Sequence, residues 1–86
     1  MLTAENVKFV GTGLEIRNDG VLGLFVINKD DLGHTFDVDS LGIHVQLPAN
    51  STTAVAIMPT ELGRLQFYCN VTGHRDAGMV GTINVE

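Results

Sequence analysis

Apolar and polar residues alternate along short stretches of this chain, and turn residues interrupt them every several positions. No window shows the spacing of three and four that would put apolar side chains on one face of a helix. The alternation predicts eight strands, over 7–10, 14–18, 21–28, 35–38, 44–47, 52–57, 65–69 and 82–85. Between them lie "NDG", "NKDDLG", "LPANS", "PTELG" and "TGHRDAG", all favourable turn or loop chemistry. About eight short strands in 86 residues predict an all-β fold, a two-sheet Greek-key β-sandwich. With no linker, internal repeat or low-complexity segment, residues 1–86 read as a single domain.

Strand alternation also gives side-chain directions. In "LQFYC", Leu65, Phe67 and Cys69 share one face and Gln66 and Tyr68 the other. The apolar face belongs in the core, so the sulfur of Cys69 is expected at the inner edge of the sandwich, with Tyr68 pointing outward. In "HTFDVD", His34, Phe36 and Val38 share a face, and Thr35, Asp37 and Asp39 are expected to meet water. A neutral histidine leaning inward at a strand start has an ordinary role open to it, a hydrogen bond to backbone.

Composition narrows the class. A hydrophobic fraction of 44% fits a packed globular chain rather than a disordered one. A net charge of -5 argues against nucleic acid as a partner and mildly for a basic one. The longest apolar run, "VLGLFVI", is far short of the roughly 18 residues of a membrane helix. The start, "MLTAENVKFVG", lacks the basic then apolar order of a signal peptide. One cysteine excludes an internal disulfide and leaves a free thiol for chemistry.

That thiol stands in "YCNVTGHRDAGM", where Cys69, His74 and Met79 follow one another at intervals of five. Alone, each has a bland role: a buried thiol, a solvated imidazole, a core filler. With His34 they offer two imidazoles, one thiolate and one thioether. Three strong donors with one weak sulfur describe a mononuclear blue-copper site. Zinc is the competitor, but a structural zinc site normally uses more cysteines and no methionine.

The pair "NKDDLGHTF" and "FYCNVTGHRDAGMVGTINV" resembles the cupredoxins, the small blue-copper proteins of plastocyanin, azurin and auracyanin type. The likeness extends to "VKFV", "VINKDD", "LPANST" and the closing "GTINV", and so to nearly the whole chain. It implies His34, Cys69 and His74 as equatorial copper ligands and Met79 as the axial one. Gly33 is implied as a weak axial carbonyl on the opposite side. Asn70 after the cysteine and Thr35 after the first histidine stand where many relatives have Ser or Thr, and Asn. Both retain hydrogen-bonding groups able to restrain the loops.

The resemblance further implies one copper per chain, cycling between Cu(I) and Cu(II), and one-electron transfer between larger redox proteins. Partners, of basic character if the acids matter, are expected to dock near His74 among Leu32, Val71, Ala77 and Val80. The chain is expected to be a monomer and not an enzyme: no general-base pair or triad is visible, and no His-x-His pair wires Cys69 to further copper. The alternatives are a module that holds or carries copper and a cupredoxin domain of a larger copper redox enzyme. A periplasmic or otherwise extracytoplasmic location is expected, as a mature form or as a domain of a longer, membrane-anchored protein, with Met1 added for expression.

Other positions read more plainly. His44 is expected to be an ordinary exposed or edge-strand residue, and Met58 to pack against the core or cap its edge. Asp30, Asp31, Asp37 and Asp39 read first as a solvated face and second as a docking patch for a basic partner.

Overall fold

The computed structural model describes residues 2–11, 13–18, 20–59 and 61–86. Met1, Thr12, Asp19 and Thr60 lie outside the described residues, and with Asp19 and Thr60 lie parts of the "NDG" and "PTELG" turns. The strands are β1 (Leu2–Ala4), β2 (Phe9–Val10), β3 (Gly13–Ile16), β4 (Leu22–Asn28), β5 (His34–Val38), β6 (Ile43–Leu47), β7 (Ser51–Ile57), β8 (Gly63–Tyr68) and β9 (Val80–Val85). A 3₁₀ turn, Asp39–Leu41, joins β5 to β6. The strands form two sheets, ordered β2-β1-β4-β7 and β3-β9-β8-β5-β6. This is the all-β sandwich expected from the alternation.

The inner faces of both sheets meet in one core. Phe36 and Phe67 are fully buried in it, their ring centroids 5.1 Å apart, and Phe9 packs edge-on against both at 6.3 and 5.2 Å. Such edge-to-face pairs add about 1 kcal/mol each beyond the area they bury. As the alternation predicts, Phe67 and Cys69 are buried and Leu65 packs against them, while Gln66 is exposed.

Four expectations need correction. The first strand was expected over 7–10, but only Phe9–Val10 pairs, and Leu2–Ala4 is a strand of its own, parallel to β4. The cause is a reversal at Asn6 and Val7, both in the left-handed region (φ 56° and 57°), closed by Glu5 N–H to Lys8 O (2.9 Å) and Lys8 N–H to Glu5 O (3.1 Å). Thr35 and Asp37, expected in water, are buried at 4% and 0% exposure. Both faces of β5 are covered, because Asn70 and His44 close over its outer side and supply polar partners there.

Met58 is 65% exposed rather than packed, because the inward alternation of β7 continues through Val55 and Ile57 to Pro59. The four acids do not form one solvated face. Asp37 is buried, Asp30 holds His34, Asp31 accepts Asn50 Nδ2–H (3.1 Å), and Asp39 accepts the Tyr68 hydroxyl (2.9 Å). His44 does lie on the edge strand β6 with its side chain 57% exposed, and it also bonds Asp37.

Candidate metal centre

Pairing within the five-stranded sheet builds the site. Strands β5 and β8 are antiparallel with Asp37 opposite Tyr68, so the start of β5 lies beside the end of β8. That brings His34, the first residue of β5, to Cys69, the residue after β8. The loop that follows closes on itself. His74 N–H bonds Val71 O (3.0 Å), Met79 N–H bonds His74 O (3.1 Å), and Cys69 N–H bonds Met79 O (3.1 Å). These short-range bonds draw Cys69, His74 and Met79 together at the neck of the loop, where Cys69 and Met79 are fully buried and His74 is half-buried.

The donor atoms of three of these residues converge. Nδ1 of His34, Sγ of Cys69 and Nδ1 of His74 all lie within 4.8 Å of one another. The two Nδ1 atoms are 3.1 Å apart, and Sγ is 3.5 Å from His74 Nδ1 and 3.9 Å from His34 Nδ1. A divalent ion bound trigonally by imidazole at about 2.0 Å and thiolate at about 2.3 Å would set the nitrogens roughly 3.5 Å apart and each about 3.7 Å from sulfur. The observed triangle matches within a few tenths of an ångström, so this donor set fits a metal ion.

The histidine protons agree with that use. Nε2 of His34 lies 2.6 Å from Oδ2 of Asp30, and a carboxylate can only accept, so the proton belongs on Nε2 and the Nδ1 lone pair faces the cluster. Desolvation works to raise the Asp30 pKa, but hydrogen bonds from His34, Val7 N–H and Asn6 N–H outweigh it and hold it below its ordinary value.

Around the sulfur runs a second set of bonds. Thr35 N–H donates to Cys69 Sγ (3.4 Å), and Asn70 N–H donates to Thr35 Oγ1 (2.7 Å). The Thr35 hydroxyl donates to Asp37 Oδ2 (2.6 Å), whose Oδ1 faces His44 Nδ1 (2.8 Å) and Asn70 Nδ2 (3.4 Å). Buried Asp37 thus restrains the residues on either side of the thiol. Tyr68, next to the cysteine, is half-buried, with Arg75 4.4 Å over its ring, and its hydrogen bond to Asp39 raises its pKa. Leu32 (43% exposed) and Ala77 are exposed, and Val71 and Val80 are half-buried.

Sequence reasoning brought forward His34, Cys69, His74 and Met79 but not Asp30 or Asp37 as parts of the site. The only signal for Asp30 was its position four residues before His34. Asp37 carried none, because alternation placed it in water.

A sandwich of two sheets with a buried thiol between two imidazoles describes a small β-protein with a side-chain group that could hold a metal ion. The chain belongs to the cupredoxin family, as its sequence resemblance implied: the cupredoxin-like domain matches residues 1–83. It is 42% identical over 71 residues to plastocyanin of Prochlorothrix hollandica, an overlap of 72% of this chain and 51% of that protein. The chain therefore spans about half the length of this curated relative.

Solved structures share the fold. Auracyanin B superposes with a TM-score of 0.81 at 19% identity over 99% of this chain and 86% of that one. Dithionite-reduced auracyanin of Roseiflexus castenholzii gives 0.83 at 11% over 99% and 94%. The metal-binding domain of a Cu(I)-exporting P-type ATPase of Streptococcus pneumoniae D39, solved with Cu(I), gives 0.83 at 15% over 99% and 81%. Among the described residues, no helix is long and apolar enough to cross a membrane.

Proposed function

We propose that this chain transfers single electrons through one copper ion, which His34, Cys69 and His74 would hold, with Met79 and the Gly33 carbonyl as weaker ligands. The observation that carries this reading is the triangle of two Nδ1 atoms and one Sγ, sized for a first-row ion. Copper supplies the Cu(II)/Cu(I) couple; the protein's part is to hold both states in nearly one geometry. His34 is fixed by Asp30, the thiol by Thr35 N–H, and the His74–Met79 loop by its own backbone bonds. A frame so restrained leaves little to reorganise when the charge changes.

Of the four side chains proposed to hold copper, the half-buried His74 is the one nearest solvent and the exit for the electron. Leu32 and Ala77, which are exposed, and the half-buried Val71 and Val80 would supply a small apolar rim for a partner that docks and leaves quickly. The plastocyanin relative supports the carrier reading. The working unit proposed is a monomeric domain over residues 1–86, placed outside the cytoplasm, and it is not an enzyme. The test is a visible spectrum during Cu(II) titration, beside Cys69→Ser. An intense thiolate band saturating at one copper per chain, and lost in the variant, is expected; no band refutes the reading.

A second reading, a module that stores or ferries copper, is favoured by the structural likeness to the Cu(I)-loaded ATPase domain. Fast copper transfer to a chelator from the loaded protein supports the ferry, and slow exchange supports the electron carrier.

A further inference from the structure

We propose that Asp30 is a positioning residue of the copper site: its carboxylate keeps the His34 proton on Nε2, holds the bare Nδ1 toward Cys69 and His74, and biases bound copper toward Cu(II). This rests on the copper reading above.

The side chain of Asp30 is held from several directions. Oδ1 accepts Asn6 N–H (2.8 Å), and Oδ2 accepts both Val7 N–H (3.1 Å) and His34 Nε2–H (2.6 Å). Its backbone N–H donates to Asn28 Oδ1 (2.9 Å), and its carbonyl accepts Asn50 N–H (3.1 Å). Asn28 is itself buried and bonded through Nδ2 to the carbonyls of Leu32 and Leu47, both at 3.0 Å.

The two N–H groups that cradle the carboxylate belong to Asn6 and Val7, the pair in the left-handed region. A β-branched residue there is an outlier that persists only when its surroundings over-determine it. Here the turn aims two successive N–H groups at one anion, a small nest of the kind that binds anions. The left-handed turn between β1 and β2 thus acts, through Asp30, on a histidine at the far end of the chain's loop "NKDDLG".

A neutral carbonyl would fix the same tautomer, but a carboxylate adds a formal charge. The His34 side chain is fully buried and that of Asp30 only 13% exposed, so solvent screens the charge poorly. An anion one hydrogen bond from a ligand imidazole makes that ligand more basic. The more basic ligand, and the nearby negative charge, stabilise Cu(II) more than Cu(I).

The test compares wild type with Asp30→Asn, both copper-loaded and checked for fold by circular dichroism. Loss of such a partner changes metal affinity by 10–100-fold in general. At the low end, a tenfold fall in the Cu(II)-to-Cu(I) affinity ratio is a rise in potential of about 59 mV. A rise with the thiolate band retained is the expected result, and an unchanged potential overturns the proposal. Nitrogen-15 NMR of the metal-free wild-type protein reads the tautomer without any variant. A slowly exchanging proton on His34 Nε2 is expected; a bare Nε2 overturns the proposal even where Asp30→Asn does not fold. A wild-type protein without a thiolate–copper band overturns the copper reading and the redox half of this proposal, while the NMR result independently decides the hydrogen bond.

Discussion

Gly81 opens strand β9's path across the core, and replacing it by alanine tests whether the aromatic cluster is as rigid as its packing implies. A Cβ at position 81 would stand 2.2 Å from Phe67 Cζ and 2.7 and 2.8 Å from its two Cε atoms. Real Cβ contacts do not approach so closely, so the ring or the strand must move. The ring has little room to do so. Phe67 is fully buried, with Phe9 5.2 Å away and Phe36 5.1 Å away, centroid to centroid. Gly81 is also the cross-strand partner of Phe67 in the β8–β9 ladder, so moving the strand breaks register beside the site.

Overpacking of this kind costs typically 1–3 kcal/mol, and a clash on a full ring belongs at the upper end, about 3 kcal/mol. At about 4–8 °C per kcal/mol for a domain of this size, the thermal midpoint of Gly81→Ala should fall by roughly 12–24 °C. The assay is thermal unfolding of the metal-free protein, followed by circular dichroism. Adding Phe67→Leu to Gly81→Ala completes a double-mutant cycle, in which a coupling of about 1 kcal/mol or more is expected because the smaller side chain makes room. A fall below about 2 °C, or strict additivity in the cycle, would refute the claim that Gly81 is required by the Phe67 ring.

Three further outcomes follow from the site. Asp37→Ala leaves the buried Thr35 hydroxyl without its acceptor and should cost about 3 kcal/mol, whereas His44→Ala, at an exposed partner, should cost under about 1 kcal/mol; denaturant unfolding of both variants checks the contrast. Asp30 has a folded pKa below its ordinary 3.8, so its contribution to stability is complete above that value and lost as pH falls through the folded one. Thermal scans of the metal-free protein should therefore steepen below about pH 4 in wild type and flatten there in Asp30→Asn. In copper-loaded protein, Met79→Gln should lower the reduction potential and Met79→Leu should raise it; voltammetry that finds neither change removes Met79 from the axial position.

Much of the fold could be read from alternation because most strands bury one face only. Leu65, Phe67 and Cys69 point inward as their period of two demands, and Val55 and Ile57 do the same on β7. The reading broke where that premise failed. Strand β5 is buried along its whole length, so its polar members Thr35 and Asp37 look like surface residues in sequence and are interior ones in space. They survive there because each finds a partner: among the described residues, no buried side-chain nitrogen or oxygen is left without a hydrogen bond. The first strand failed for a different reason. Three residues, Leu2–Ala4, carry too little pattern to register, and the left-handed turn at Asn6 and Val7 uses neither glycine nor proline.

The four candidate ligands differ in the same way. Cys69, His74 and Met79 lie on one loop that short-range backbone bonds can close, so their spacing in sequence already encodes their nearness. His34 reaches them only through the pairing of β5 with β8, a contact across more than thirty residues that no local pattern specifies. The long-range pairing then fixes more than one ligand. By setting Asp37 opposite Tyr68 it places Thr35 against Asn70, whose N–H bonds the Thr35 hydroxyl, and so aims Thr35 N–H at the sulfur. A slip of one residue between these strands would turn His34 away from Cys69 and break the Thr35 bonds together. Site geometry and strand register are therefore one property of this fold, and Asp37, which bonds residues of both strand ends, is where they are joined.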